Sequence, residues 1–119
     1  MKTKATYPDK CNQATKQFVD KVNLAMSTIN LGDKTPIILN EYYLGQNGVY
    51  HTIFKVAFPN YIIINFECFD DEGTHFYNEK KHYEHVKIVK YSKDFKPIQS
   101  VLTKMFNIDV IKSELTKLV

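Results

Sequence analysis

The chain of 119 residues has no arginine and no tryptophan, so all sixteen of its basic side chains are lysine. Arginine carries a rigid planar fork that grips phosphate, carboxylate or guanine edges in pairs of hydrogen bonds, whereas lysine is a mobile, strongly hydrated point charge. Arginine-finger catalysis and bidentate guanine readout are therefore excluded. Glycine is scarce at four residues, and none sits in a glycine-rich phosphate loop. The two cysteines, Cys11 and Cys68, lie far apart in no paired motif, which fits a reducing compartment better than a disulfide framework. No apolar run approaches the roughly 18–20 residues that cross a bilayer. Met1-Lys2-Thr3-Lys4-Ala5-Thr6 is basic but leads into no apolar stretch, so no secretory signal is expected. The expectation is a cytoplasmic protein, of the producing or the host cell, with no membrane contact.

What is present describes a folded chain. Hydrophobic residues make up 44% and charged residues 24%, a balance that excludes disorder and supports one α+β domain over residues 1–119. The net charge of +3 is unevenly spread. Residues 1–32 carry five lysines against Asp9 and Asp20, and residues 74–119 carry nine lysines against five acids. Between them, residues 33–73 hold Lys34 and Lys55 against six acids. An acidic middle between basic ends favours an electrostatically oriented partner.

Cys11, Ala14, Phe18, Val22, Ala25, Met26 and Ile29 recur at steps of three and four. This spacing predicts a helix opened by Pro8 and stopped at Gly32. Residues 35–43 read as a strand. Asn47-Gly48 is a strong hairpin signal, and residues 49–58 return with Tyr50, Phe54, Val56 and Phe58 on one face. Pro59-Asn60 turns the chain into a third strand over 61–69, with Ile62, Ile64, Phe66 and Cys68 facing the core. Asp70-Asp71-Glu72-Gly73 reads as the next turn, followed by strand character over 74–77 and again over 86–91. Pro97 is expected to open a second helix carrying Ile98, Val101, Leu102, Met105 and Phe106, and Asp109 to cap a third carrying Val110, Ile111, Leu115 and Leu118. The predicted fold is thus α+β: an N-terminal helix, a four- to five-stranded antiparallel meander sheet, and C-terminal helices packed on one face as a two-layer sandwich. The core is expected to hold Phe18, Val22, Met26, Phe54, Val56, Ile62, Ile64, Phe66, Val101, Leu102 and Met105.

An opening helix followed by an antiparallel meander is similar in order to cystatin-like folds. Cystatins carry a Gln-x-Val-x-Gly hairpin that wedges into thiol proteases, whereas the hairpin here reads Gln46-Asn47-Gly48-Val49-Tyr50. The likeness is one of topology and implies no shared function.

Candidate chemistry is sparse. Glu79-x-x-His82-x-x-His85 would share a face on a helix and could hold a divalent metal, but on a strand His82 and His85 point to opposite faces. His75, after the acidic run, invites the same thought, and such a run is more often a solvated turn. Cys11 and Cys68 fall on apolar faces, as inert core thiols do. A Gly-x-Ser-x-Gly elbow is absent. The expectation is no enzyme, no catalytic residues, no cofactor and no metal.

Two binding functions remain. The first is a protein–protein contact made by the first hairpin and the acidic turn, through Tyr42, Tyr43, Gln46, Asn47, Asp70, Asp71 and Glu72, since tyrosine is favoured at interface centres. A small arginine-free protein without catalytic motifs suits a phage or mobile-element genome, where the partner would be a host protein to inhibit. A version of this reading is a homodimer, in which an edge strand or the C-terminal helices pair across a two-fold axis. The second is single-stranded nucleic-acid binding by Lys80, Lys81, Tyr83, Lys87, Lys90, Tyr91 and Lys93, with rings stacking on bases and lysines holding phosphates.

Overall fold

The computed structural model describes residues 2–29, 31–32, 34–73 and 79–118. Helix α1 spans Gln13–Thr28, and five strands follow: β1 Ile37–Gln46, β2 Val49–Phe58, β3 Ile62–Asp71, β4 Lys81–Tyr91 and β5 Pro97–Thr103. Helix α2, Ile108–Leu118, closes the order. The strands form one antiparallel sheet in chain order β1-β2-β3-β4-β5. The strand predicted to begin at residues 74–77, and with it His75, lies outside the described residues.

The elements follow from local chemistry. Helix α1 begins at Asn12, whose side-chain oxygen accepts from the Thr15 N–H, rather than at Pro8. It ends at Thr28, because Ile29 is already extended, so the predicted stop at Gly32 falls late. The Asn47-Gly48 turn has φ of 54° and 77°, the left-handed pair that a two-residue hairpin loop demands. Asn107 caps α2, its side chain accepting from the Asp109 and Val110 N–H groups, so Asp109 stands inside the first turn instead of being the cap.

Alternation along β2, β3 and β4 drives one face of the sheet into a core with α1 and α2. Phe18, Val22, Phe54, Val56, Ile62, Ile64, Phe66, Val86, Ile88, Ile111 and Leu115 are essentially sealed from water. Four phenylalanines link the layers: Phe18 stacks on Phe54 and meets the edge of Phe106, which stacks on Phe66.

One predicted element changes type. Residues 97–103 form an edge strand, not a helix, and α2 is the single C-terminal helix among the described residues. Proline is tolerated as the first residue of an edge strand, and Ile98, Val101 and Thr103 are β-branched. A turn over Ser92–Lys96, with Phe95 at φ 60°, returns the chain against β4. Consequently Val101 is only half-buried, and Leu102 and Met105, expected in the core, are exposed at 56% and 73%.

Candidate functional site

Both helices cover the same face of the sheet, so the other face is the first place to look for function. On it, consecutive cross-strand partners His51, Phe69 and Tyr83 form one row, and Ile53, Glu67 and His85 the next. Tyr42, opposite Ile53 on β1, meets the edge of His51 with centroids 5.5 Å apart. His51 meets Phe69 at 5.8 Å, Phe69 stacks on Tyr83 at 5.3 Å, and Tyr83 stacks on His85 at 4.5 Å. The result is a continuous ladder of five rings crossing four strands. Glu67 sits between the two imidazoles, with Oε2 2.6 Å from His51 Nε2 and Oε1 3.9 Å from His85 Nδ1. Burial, and then the nearby Glu67 carboxylate, raise the Tyr83 phenol above its ordinary pKa.

Ring orientation decides what such a ladder can hold. The Phe69–Tyr83 and Tyr83–His85 planes are within 13° and 24° of parallel, so these rings take one another's faces as partners. A base-stacking platform needs those faces free, whereas a protein contact uses ring edges and hydroxyl tips. Tyr42 and Tyr83 remain 46% and 38% exposed, enough to offer such edges.

The residues anticipated for protein contact divide. Tyr42 is on the ladder. Tyr43 points to the other face, where it lies so close over Gly45 that an added Cβ would sit 2.1 Å from its hydroxyl oxygen. That hydroxyl and Thr52 Oγ1 are buried with no hydrogen-bond partner among the described residues. Gln46 and Asn47 are exposed at the hairpin tip, and the Glu72 N–H donates to the Gly48 carbonyl at 2.9 Å, bringing Glu72 to the same end of the sheet. Asp70 and Asp71 do not form the expected solvated turn, because β3 runs on through both. Asp71 is 3% exposed and accepts from the Gly73 N–H. The nucleic-acid set is not gathered into one patch either. Lys81, Tyr83 and Lys87 share the open face of β4, while Lys90 turns to the Asn60 carbonyl. Lys80 precedes the strand, and Tyr91 and Lys93 lie at its far end, Tyr91 half-buried and Lys93 exposed.

A second constellation sits on the helix-covered face, where β3 and β4 carry a block of four side chains. Cys68 is opposite Glu84, and Asp70 is opposite His82. Asp70 Oδ1 lies 2.8 Å from His82 Nδ1, and His82 Nε2 lies 3.6 Å from Glu84 Oε2. One ligand atom each from Cys68, His82 and Glu84 falls within 4.8 Å of the other two. From α1, Asn12 Nδ2 donates to Asp70 Oδ2 at 2.7 Å, and Lys21 Nζ donates to Glu84 at 2.6 Å. Burial, reinforced by Glu84 and Asp70, pushes the Cys68 thiol up to about 12. The Glu79-His82-His85 grouping suggested along the chain is broken by the strand, which sends His85 to the open face.

No helix is long and apolar enough to cross a membrane, among the described residues. No family model, no curated protein and no solved structure matches this chain.

Proposed function

We propose that this is a non-enzymatic binding protein that holds a partner protein on the uncovered face of its sheet, with Tyr42, Tyr83 and His85 at the centre of the contact. The observation that supports it is the ring ladder: five aromatic and imidazole rings run across a sheet face that neither helix covers, with Tyr42 and Tyr83 well exposed on it. Tyrosine at the centre of a contact supplies large, stiff area at little entropic cost. Glu67 and the two histidines add polar complementarity beside it. Gln46, Asn47 and Glu72, at one end of the sheet, extend the contact as a polar rim. Inhibition of the partner fits this reading, since such a surface acts by occupying another one.

The test is capture from the native cell with wild type and with a Tyr42→Ala/Tyr83→Ala variant, each shown by thermal melting to be folded. Wild type is expected to retain one stoichiometric protein, cross-linked to residues of the open face, and the variant to bind it at least about tenfold more weakly. Equal retention by the variant, or recovery of oligonucleotide alone with an affinity falling steeply in salt, overturns the proposal.

A second reading, self-association, is favoured by β5. The segment Pro97–Thr103 is an edge strand with no charged residue, and Ile98 and Leu102 are 63% and 56% exposed. By contrast, the edge strand β1 carries Glu41 and a bulge, and the Lys2 carbonyl accepts from its Ile38 N–H. Antiparallel pairing of two β5 strands about Ser100 would set Ile98 of each copy against Leu102 of the other. Sedimentation of wild type and Leu102→Lys over a range of concentrations tests it: a dimer lost in the variant supports pairing, and a monomeric wild type removes it.

A further inference from the structure

We propose that Cys68, His82 and Glu84 form a site for a zinc-class divalent cation, oriented by Asp70 from behind.

The donor set is sulfur, imidazole nitrogen and carboxylate oxygen, the three ligand types that zinc and cobalt take from proteins. With metal–ligand bonds of about 2.0–2.3 Å, tetrahedral geometry places neighbouring ligand atoms roughly 3.3–3.7 Å apart. The His82 Nε2 to Glu84 Oε2 separation is already 3.6 Å. One ligand atom from each of Cys68, His82 and Glu84 lies within 4.8 Å of the other two, close enough for small side-chain shifts to bring the three onto one ion. Asp70 accounts for the imidazole. A carboxylate can only accept, so Nδ1 must carry the proton it shares with Asp70 Oδ1. In the neutral ring this leaves the Nε2 lone pair on the Glu84 side, 3.6 Å from Oε2, where a cation can take both atoms as ligands. Carboxylate behind, imidazole in front and metal beyond is the usual support of a metal-bound histidine. Asn12 holds the other Asp70 oxygen, so the orienting chain runs back to the cap of α1.

The surrounding potential agrees. The Glu84 and Asp70 carboxylates on either side of His82 attract a divalent ion. Binding forms an S–metal bond and releases the thiol proton to water. Lys21 now occupies the cation position beside Glu84, but its side chain is 43% exposed and can turn outward. His82, 45% exposed, opens the route in, and three protein ligands leave a fourth position for water or a partner's side chain.

The experiment is titration of the full reduced chain with Co2+ in chelator-free buffer, read by its sulfur-to-cobalt charge-transfer band, followed by displacement with Zn2+. The expected result is one equivalent bound, with the band kept in Cys11→Ser and lost in Cys68→Ser. Asp70→Asn should weaken binding by about 10–100-fold. Lys21→Gln should tighten it, because Glu84 loses its competing cation. Since Cys68 is buried and its variant can fail to fold, His82→Gln, altered at an exposed side chain, must lose the affinity as well. A wild type without the band overturns the site, and so does a band that survives His82→Gln or disappears in Cys11→Ser.

Discussion

Asn12 does two jobs with one amide, and separating them tests how α1 is fastened to the sheet. Its oxygen caps the helix by accepting from the Thr15 N–H at 3.0 Å and from Thr15 Oγ1 at 2.7 Å. Its nitrogen donates to Asp70 Oδ2 at 2.7 Å. Asn12→Ala removes the cap, at about 1 kcal/mol, and a hydrogen bond to a charged group, at about 1.5–3 kcal/mol, so a loss near 3 kcal/mol is expected. Asn12→Asp is more diagnostic, because aspartate caps as well as asparagine does. The substitution turns the donor into a second carboxylate against Asp70. Two charges that relax to about 4–5 Å at an effective dielectric near 20 repel by about 3–4 kcal/mol, so this conservative change should destabilise at least as much as alanine. Adding Asp70→Asn restores a donor–acceptor pair with the roles exchanged, while an amide oxygen at position 70 still accepts from His82. Urea unfolding at neutral pH of wild type, both single variants and the double variant forms a double-mutant cycle with an expected coupling of at least about 1.5 kcal/mol in favour of the double. An Asn12→Asp protein within about 0.5 kcal/mol of wild type would refute the bridging role.

Three other outcomes follow from burial. Thr52→Val removes a sealed hydroxyl that has no partner among the described residues, and should raise stability by about 1 kcal/mol in thermal melts; a clear loss would mean that the hydroxyl is satisfied. Ile64→Asp places an uncompensated carboxylate at a fully buried position and should leave the chain unfolded by circular dichroism, whereas an unchanged melting curve would refute the register of β3. The Cys68 thiol, held up at about 12 against an ordinary value near 9, is protonated in folded and unfolded chains alike below pH 9, so its contribution is fully present there. As pH rises from about 9 to about 12 the unfolded thiol ionises first, and wild type should lose stability relative to Cys68→Ala by about 1.4 kcal/mol per pH unit. Parallel pH profiles of the two proteins, measured with chelator present, would exclude the raised thiol.

The parts of the fold legible in the sequence are those in which one residue's chemistry decides the backbone or in which alternation is strong. Asn47-Gly48 sets a turn that few other pairs allow, and Ile62, Ile64, Phe66 and Cys68 alternate so regularly that their face could be assigned from the chain alone. The segment after Pro97 is a strand and not the expected helix for a physical reason. Ile98, Val101, Leu102 and Met105 match a helical stripe in spacing, yet the short turn over Ser92–Lys96 lays the chain beside β4, where six residues of β5 pair with an existing strand, whereas a short helix would have to meet its own nucleation cost. Asp70 and Asp71 looked like a solvated turn because charge normally ends a strand; here the Asp70 carboxylate accepts a hydrogen bond from Asn12 and shares another with His82, so the strand continues.

The ring ladder and the four-residue block were hidden for the same reason. Both are made across strands, and cross-strand neighbours depend on register, which is set by turn lengths and by the buried face rather than by any local motif. Along the chain, His82 stands three residues from Glu79 and from His85, and helical spacing invited a metal site built from those three. In the sheet, a step of three changes face and a step of two keeps it, so His82 joins Glu84 and loses His85. The register that sets Cys68 opposite Glu84 also sets Asp70 opposite His82, and shifting it by one residue would bring Val86 and Ile88 out of the core. The apolar packing of β4 therefore positions the polar block. Substitutions at Val86 or Ile88 that keep volume should leave both intact, whereas any that let β4 slip would dissolve the block and the ladder together.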